Sequence, residues 1–195
     1  FFQIGSCVEY GYASSPQKEN AKVKFDTIKS NYGKSKYLAT RHLLNLHRNK
    51  KFPVIILRLY LIYGPKQDAN RLIPIVLQKC KNRKKFPCST GDQMRDFLHV
   101  NDLINLFFKI IQTKKKNHFG KIYNVGFGKP YSVRDVIMLI KKIAKGGIPD
   151  FGKIKLRKDE IFELYPDINK IKNYFRWKPK INLKKGISLL VNYDK

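Results

Sequence analysis

The strongest constraint on the fold is the order of three segments near the start of the sequence. Residues 1–5 (FFQIG) are typical of a buried strand, and residues 31–49 show apolar residues at helical spacing. Pro53 then leads into the uninterrupted apolar run of residues 54–57 (VIIL), which is typical of a strand covered on both faces of a parallel sheet. A strand, a helix and a second strand in this order predict a βαβ unit and therefore an α/β fold.

The second half of the sequence predicts shorter and more mixed elements. Asn101 is expected to cap a helix that runs to about residue 113, and a further helix is expected after Ser132, to about residue 145. Other helices are predicted over residues 70–82, 168–175 and 183–191, and strands over residues 97–100, 121–125 and 153–157. This mixture indicates a second, smaller lobe beside the parallel sheet.

The charge of the chain is strongly positive, at +27, with 41 Lys and Arg against 14 Asp and Glu. Such a charge by itself would suggest nucleic acid, an anionic membrane or a phosphorylated substrate as the partner. The lysines are spread over every segment, however, and the densest runs are residues 79–85 and 114–116. We therefore expect solvated lysine-rich faces and a diffuse attraction to polyanions, with no specific nucleic-acid site and no membrane partner.

The cysteines give no sign of a metal site. Cys7, Cys80 and Cys88 are too few for a disulfide framework, and no two of them form a CxxC pair. No apolar run approaches the roughly 20 residues that a membrane-spanning helix needs. These features predict a cytoplasmic protein in a reducing compartment, without a metal.

The string NYGKSK, residues 31–36, places a tyrosine and a lysine four positions apart on the first helix. Tyr32 and Lys36 should therefore project from one helix face, about 5–6 Å apart. An ammonium about 4 Å from a phenol favours the phenolate by roughly 4 kcal/mol at an effective dielectric constant near 20. Tyr32 could then act as a base near neutral pH. On this pair alone, an exposed aromatic residue beside a lysine remains the alternative.

Ser6 adds a second candidate at a position where ligands commonly bind. It lies at the end of the opening strand, in the string GSCVEYG of residues 5–11. Open α/β sheets bind their ligands outside the carboxyl ends of the strands. Ser6 and the helix that carries Tyr32 are therefore expected to face one site.

Together these strings resemble the nucleotide-sugar epimerase/dehydratase branch of the short-chain dehydrogenases. Members carry a Ser or Thr four residues before Tyr-Gly, followed about 25 residues later by Tyr-Gly-x-Ser-Lys. Further strings that match the family in order are residues 58–65 (RLYLIYGP), residues 91–102 (GDQMRDFLHVND), residues 165–167 (YPD) and residues 177–179 (WKP). The resemblance therefore covers nearly the whole chain.

The resemblance implies a fold, a cofactor and a substrate class. The fold would be a truncated Rossmann-like parallel sheet with helices on both faces and a smaller mixed α/β C-terminal substrate lobe. Residues 1–60 would be the C-terminal part of the NAD(P)-binding domain, and residues 61–195 mostly the substrate lobe, with segments within about 95–125 returning to the core. The cofactor would be NAD or NADP, the substrate a nucleotide-diphosphate sugar, and the full-length enzyme a homodimer.

The resemblance also assigns roles to particular residues. Ser6, Tyr32 and Lys36 would be catalytic, and Tyr32 and Lys36 would in addition contact the cofactor. Arg95 and Arg157 would bind the nucleotide diphosphate, for which a planar guanidinium with paired donors is suited, and the carboxylate of Glu160 would bind the ribose. Charge is common in these segments, and the alternative for Arg95 is a surface salt bridge to Asp92 or Asp96.

The sequence departs from the family pattern in several places. No GxxGxxG string occurs in residues 1–195, and the dinucleotide-binding turn is expected before Phe1, in a chain that lacks its N-terminus. Leu61 stands where many relatives have a substrate-binding Asn, so the resemblance does not identify the sugar that is bound. Both 4-epimerases and 4-ketosugar reductases fit the remaining pattern. An inactive paralogue or gene fragment is an alternative, and a basic nucleic-acid-binding protein is a more remote one.

Dehydration is the one family reaction that the sequence argues against. Dehydratases of this family place Asp-Glu directly after the catalytic Thr, and Cys7 and Val8 occupy these two positions. Glu9 is one residue late, and in an extended segment its side chain should point to the opposite face. We therefore expect no 4,6-dehydratase activity.

Overall fold

The computed structural model describes residues 1–113 and 117–193, so the basic run at residues 114–116 lies outside the described residues. The helices are α1 (Asn31–Lys50), α2 (Leu72–Lys81), α3 (Val100–Ile111), α4 (Val133–Ala144), α5 (Asn169–Phe175) and α6 (Leu183–Tyr193). The strands are β1 (Phe2–Ser6), β2 (Ile55–Leu59), β3 (Leu61–Tyr63), β4 (Lys85–Pro87), β5 (Met94–His99), β6 (Lys121–Val125), β7 (Pro130–Ser132), β8 (Ile148–Asp150) and β9 (Glu163–Leu164). Short 3-10 turns cover Cys7–Tyr10 and Phe25–Thr27.

A parallel sheet in the order β1-β2-β6 forms one half of the structure, as the βαβ pattern predicts. Alternate side chains of β2 point to opposite faces of this sheet. Ile55 and Leu57 pack with apolar residues of α3 and α5. Arg58 is bonded on the other face to Glu9, which also binds Thr40 of α1. Helices therefore cover both faces, and the carboxyl ends of β1 and β2 lie side by side.

The other half of the structure is built around β5. This strand pairs in parallel with β3 and β9 and antiparallel with β7, while β4 and β8 form a separate parallel pair. Helices α2, α4 and α6 pack together beside these strands around a buried apolar cluster that includes Ile73, Val76, Val136, Ile140 and Ile187. The pairing of Arg95 with Leu164 brings the segment before β9 close to β5.

The strand predicted at residues 153–157 is wrong. The strand in this region lies earlier, at β8, where it pairs with β4. Gly152 follows with a φ of +80°, a left-handed conformation that glycine adopts without a steric penalty. The backbone N–H groups of Lys153 and Ile154 then both donate to the Cys88 carbonyl, which fixes a turn rather than a ladder.

The cap predicted for α3 is also wrong. His99 is the N-cap, and its Nδ1 atom accepts the backbone N–H of Asn101 at 3.2 Å. Asn101 is therefore already inside the helix, and the strand before it is longer than predicted. The helix expected after Ser132 is confirmed, because the Ser132 hydroxyl accepts the Asp135 N–H and caps α4. Within the two described stretches, none of the helices combines the length and apolar character needed to cross a bilayer.

Candidate active site

Ser6 lies where β1 gives way to the 3-10 turn Cys7–Tyr10, which we call the post-β1 turn. Its hydroxyl accepts a long contact of 3.5 Å from the Val8 N–H. The Ser6 N–H donates to Oε1 of Glu9 at 2.8 Å, which completes a capping box. The half-buried Ser6 side chain is thus held at the carboxyl end of the central sheet.

Tyr32 lies in the first turn of α1, and the residue is 57% exposed. The Ser30 hydroxyl caps this helix by accepting the Gly33 N–H at 3.0 Å. The Lys36 ammonium lies 5.6 Å from the centre of the Tyr32 ring. It donates at 3.0 Å to the backbone carbonyl of Ile4, in β1. Tyr32 and Lys36 therefore share one face of α1, and that face is attached to the strand that carries Ser6.

Gly33 explains why the helix can approach the post-β1 turn so closely. A Cβ atom at this position would lie 2.8 Å from Cγ2 of Ile28 and 3.2 Å from the Val8 carbonyl oxygen. A side chain at Gly33 would push the start of α1 away from the turn. The glycine after Tyr32 therefore keeps the helix start, and with it Tyr32, near Ser6.

Ser6 and Tyr32 line one cavity of about 510 Å³. Its opposite wall comes from β3 and from the loop before α2, and includes Leu61, Gln67 and Arg71. Lys36 is not part of this wall, because its ammonium reaches the backbone of β1 instead. The structure thus brings two of the three predicted catalytic residues into one cavity and places the third beside it.

A second cavity of about 210 Å³ brings together Arg95, Arg157 and Glu160. Val8 of the post-β1 turn and Ser30, the cap of α1, also line it. The three residues predicted to bind substrate are therefore neighbours, although more than sixty residues separate Arg95 from Glu160 in the sequence. The two cavities share no lining residue, but Val8 and Ser30 lie two residues along the chain from Ser6 and Tyr32, which line the first cavity.

Arg95 is already paired within this cavity. Its Nη2 atom forms an ion pair with Oε1 of Glu160, and Nη1 donates to the carbonyls of Met94 at 2.9 Å and Phe162 at 3.2 Å. Burial lowers the pKa of Arg95, while the charge of Glu160 opposes that shift.

The alternative of a salt bridge from Arg95 to Asp92 or Asp96 is therefore wrong. Asp96 follows Arg95 on β5 and so points to the other side of the strand. Its buried carboxylate accepts the backbone N–H groups of Phe127, Gly128 and Lys129. Asp92 is exposed.

Residues 1–126 match the model of the NAD dependent epimerase/dehydratase family. The chain belongs to this family. The epimerase/dehydratase resemblance seen in the sequence strings is thereby confirmed, and a solved relative confirms the Rossmann-like α/β fold.

That relative is the UDP-glucuronic acid 4-epimerase of Bacillus cereus in complex with UDP-glucuronic acid and NAD. It matches with a TM-score of 0.87 at 27% identity, over 99% of this chain and 60% of its own. The chain is also 34% identical over 140 residues to a CDP-abequose synthase of Salmonella typhimurium, which covers 69% of this chain and 46% of the relative.

A third relative is a putative UDP-glucose 4-epimerase of Methanocaldococcus jannaschii. It is 33% identical over 171 residues, which are 85% of this chain and 53% of the relative. This family member therefore spans about half the length of the curated relatives that it matches.

The donors beside Tyr32 are suited to the ribose of a nicotinamide cofactor. A lysine ammonium carries three N–H donors. Lys36 uses one of them for the Ile4 carbonyl, which leaves donors for the hydroxyls of a ribose above the carboxyl end of β1. The exposed Tyr32 hydroxyl lies on the same helix face. The donors of these two side chains are therefore chemically suited to the ribose of NAD or NADP.

A buried polar cluster of Glu9, Arg58 and Thr40 lies under the site, and the sequence did not predict it. The pattern Ser6-x-x-Glu9 is a capping-box signature and could have revealed the first contact. No comparable signal links Glu9 to Thr40 or Arg58, because these residues lie on separate elements. Glu9 was also expected to sit on an extended segment, whereas it lies in the post-β1 turn.

Proposed function

We propose that this chain provides the catalytic and substrate-binding part of an NAD(P)-dependent nucleotide-sugar 4-epimerase or 4-ketosugar reductase. The proposal rests chiefly on one observation. Val8 and Ser30 line the cavity that contains Arg95, Arg157 and Glu160, and they lie two residues along the chain from Ser6 and Tyr32, which line the other cavity. A sugar in the first cavity and its nucleotide diphosphate near the second would match the shape of one substrate.

In this proposal Tyr32 is the acid and base of the reaction. Its hydroxyl removes the proton from the C4 hydroxyl of the sugar, or returns it, while Ser6 holds the same oxygen by a hydrogen bond. Lys36, whose ammonium lies beside the Tyr32 ring, binds the nicotinamide ribose. NAD or NADP, when bound, supplies the acceptor or donor of the hydride at C4.

The substrate is held by residues of the second cavity. Arg95 and Arg157 bind the diphosphate through charge-assisted hydrogen bonds, and Glu160 binds the ribose of the nucleotide. Arg95 and Glu160 are neighbours before substrate enters, so Glu160 also orients the guanidinium. Leu61 gives the sugar cavity an apolar wall where many relatives have an amide.

The proposal extends to the organisation of the full-length protein. Residues 1–60 belong to the cofactor-binding domain, and residues 61–195 belong mostly to the substrate lobe, with segments of about 95–125 in the core of the first domain. We propose a cytoplasmic homodimer with no specific nucleic-acid or membrane partner.

We predict that residues 1–195 alone do not bind NAD or NADP with micromolar affinity. The chain contains no GxxGxxG turn, which in this class of fold holds the pyrophosphate at a helix N-terminus. Isothermal calorimetry with each dinucleotide measures this directly. Micromolar binding by residues 1–195 would show that the cofactor is held in another way.

The activity itself is tested with the full-length protein and UDP-, CDP-, GDP- and dTDP-hexoses and their 4-keto derivatives. Formation of a 4-epimer without net consumption of cofactor identifies an epimerase. Stoichiometric oxidation of NADH or NADPH with a 4-keto substrate identifies a reductase. If neither reaction occurs with any of these substrates, the proposed function is wrong.

Arg95→Ala should weaken nucleotide binding far more than it changes kcat. Hydrogen bonds to charged groups contribute about 1.5–3 kcal/mol, so the Kd should rise roughly 10- to 150-fold. Calorimetry with UDP, CDP, GDP and dTDP identifies the nucleotide and measures the change. The matched control is Arg41→Ala, which removes an exposed arginine of α1 outside both cavities. Equal Kd values for the two variants would remove Arg95 from the diphosphate site.

A further inference from the structure

Glu9 is a fully buried carboxylate directly under Ser6. Its Oε1 atom accepts the Ser6 N–H at 2.8 Å. Its Oε2 atom accepts the Thr40 hydroxyl at 2.9 Å and Nε of Arg58 at 3.0 Å. One side chain therefore joins the end of β1 to α1 and to β2.

The contact with Thr40 links Glu9 to the helix face that carries the proposed catalytic residues. Tyr32, Lys36 and Thr40 are spaced four residues apart, so they lie along one face of α1. Lys36 attaches this face to the Ile4 carbonyl, and Thr40 attaches it to Glu9. Glu9 consequently fixes the position of the Ser6 backbone relative to α1, the helix that carries Tyr32.

Arg58 fixes the carboxylate from the other side. Its guanidinium is buried and lies 4.3 Å from the centre of the Tyr10 ring, so it has little freedom to move. Gly5 leaves the space that Glu9 occupies, since a Cβ atom there would lie 2.5 Å from Oε1. Because Glu9 is fully buried and both of its oxygens accept hydrogen bonds from the protein, its carboxylate is not accessible to a sugar.

We infer that Glu9 is a positioning residue, which sets the distance between the Ser6 hydroxyl and Tyr32 without touching the substrate. This inference rests on the proposed roles of Ser6 and Tyr32. Reactive groups tolerate little displacement, and a shift of about 1 Å can lower a rate by about 100-fold. Glu9 therefore acts on turnover through Ser6, and nucleotide binding in the second cavity does not depend on it.

The test is a double-mutant cycle in the full-length protein with Glu9→Gln and Ser6→Ala. Glu9→Gln keeps the length of the side chain but replaces one acceptor oxygen with an NH2 donor, so either the Ser6 N–H or the Thr40 and Arg58 pair loses its acceptor. We expect kcat to fall about 10- to 100-fold, with KM and the Kd for nucleotide nearly unchanged. In the Ser6→Ala background the same substitution should lower kcat by less than about twofold, because the two residues act as a unit.

A second variant covers the case in which Glu9→Gln does not fold. Thr40→Val keeps the volume and the Glu9–Arg58 ion pair and removes only the hydroxyl that binds Glu9. It should lower kcat about 3- to 10-fold. It should also speed hydrogen exchange of the Ser6 amide, which is a measure independent of activity.

Asp102→Asn is the matched control. Asp102 is another buried carboxylate, which accepts the backbone N–H groups of Lys180 and Ile181 away from both cavities. It should lower the Tm without changing kcat. If Glu9→Gln, or Thr40→Val in its place, behaved in the same way, Glu9 would be a structural residue only.

Two other outcomes would overturn the inference. Independent effects of Glu9→Gln and Ser6→Ala on kcat would show that Glu9 does not act through Ser6. Full activity of Ser6→Ala alone would instead remove Ser6 from the proposed mechanism, and with it this role of Glu9. The single Ser6 variant therefore separates failure of the proposed function from failure of the inference.

Discussion

Tyr32→Phe in the full-length protein should lower kcat by about 100- to 10,000-fold, the range typical of removing a positioned acid or base. The substitution deletes one hydroxyl at an exposed position of α1 and leaves the helix and its capping contact with Ser30 intact. The affinity for nucleotide sugar should therefore stay near its normal value, since Arg95 and Arg157 lie in the other cavity. Steady-state kinetics and calorimetry on the same preparation measure both quantities.

Tyr37→Phe is the matched control for this substitution. Tyr37 lies on the same helix, and its ring packs 6.0 Å from that of Phe25 rather than in the cavity that contains Ser6 and Tyr32. This variant should keep full activity. Wild-type turnover by Tyr32→Phe would show that another group carries the proton, and the catalytic assignment would then fail.

The order of strand, helix and strand in the first half was predictable because local pattern and tertiary structure agree there. The predicted burial of the opening strand is wrong, because among the described residues β1 pairs with β2 alone, and Ile4 is 37% exposed. The run of residues 54–57 is buried on both sides, and α1 spans Asn31–Lys50 against a predicted range of 31–49. Ser6 and Tyr32 could be placed near each other because a strand end and the following helix start must meet in a βαβ unit.

The second half was harder to predict because its strands are short and depend on distant partners. β4 and β8 have three residues each and are more than sixty residues apart, and β9 has only two residues. Segments of this length carry no clear periodicity. The misplaced strand at residues 153–157 shows the consequence, since pairing with β4 and the turn at Gly152 decide the strand position.

The contacts among charged residues were also not predictable from the sequence. The resemblance gave Arg95 and Glu160 separate roles in substrate binding. In the structure the two side chains form an ion pair, because β9 pairs with β5. Glu9 was assigned no role, since its orientation depends on Thr40 and Arg58 on two other elements. A side chain that joins three elements cannot be found from spacing within one of them.

The post-β1 turn lacks the acidic and basic groups that dehydration of a sugar requires. Elimination of water across C5 and C6 of a sugar needs an acid and a base beyond Tyr32. Burial raises the pKa of the Cys7 thiol to about 12, so at neutral pH this group neither exists as a thiolate base nor acts as a useful acid. Val8 carries no exchangeable side-chain proton.

Glu9 does not replace the missing groups, although the reason differs from the one that the sequence suggested. Residues Cys7–Tyr10 form a 3-10 turn rather than an extended segment, so strand alternation does not apply. The Glu9 carboxylate is buried, and the Ser6 N–H, the Thr40 hydroxyl and Arg58 occupy both of its oxygens. It therefore has no route to a sugar carbon in the adjoining cavity.

We accordingly expect no 4,6-dehydratase activity from the full-length protein. Incubation with dTDP-, GDP- and CDP-hexoses in deuterated water, followed by NMR at C5 and C6, tests this expectation. A dTDP-D-glucose 4,6-dehydratase assayed in parallel provides the positive control. A 4-keto-6-deoxy product that carries deuterium at C5 would contradict the prediction. Epimerisation or reduction at C4 needs neither of the missing groups. A 4-keto-6-deoxy product would instead require a second acid and base that this turn does not supply.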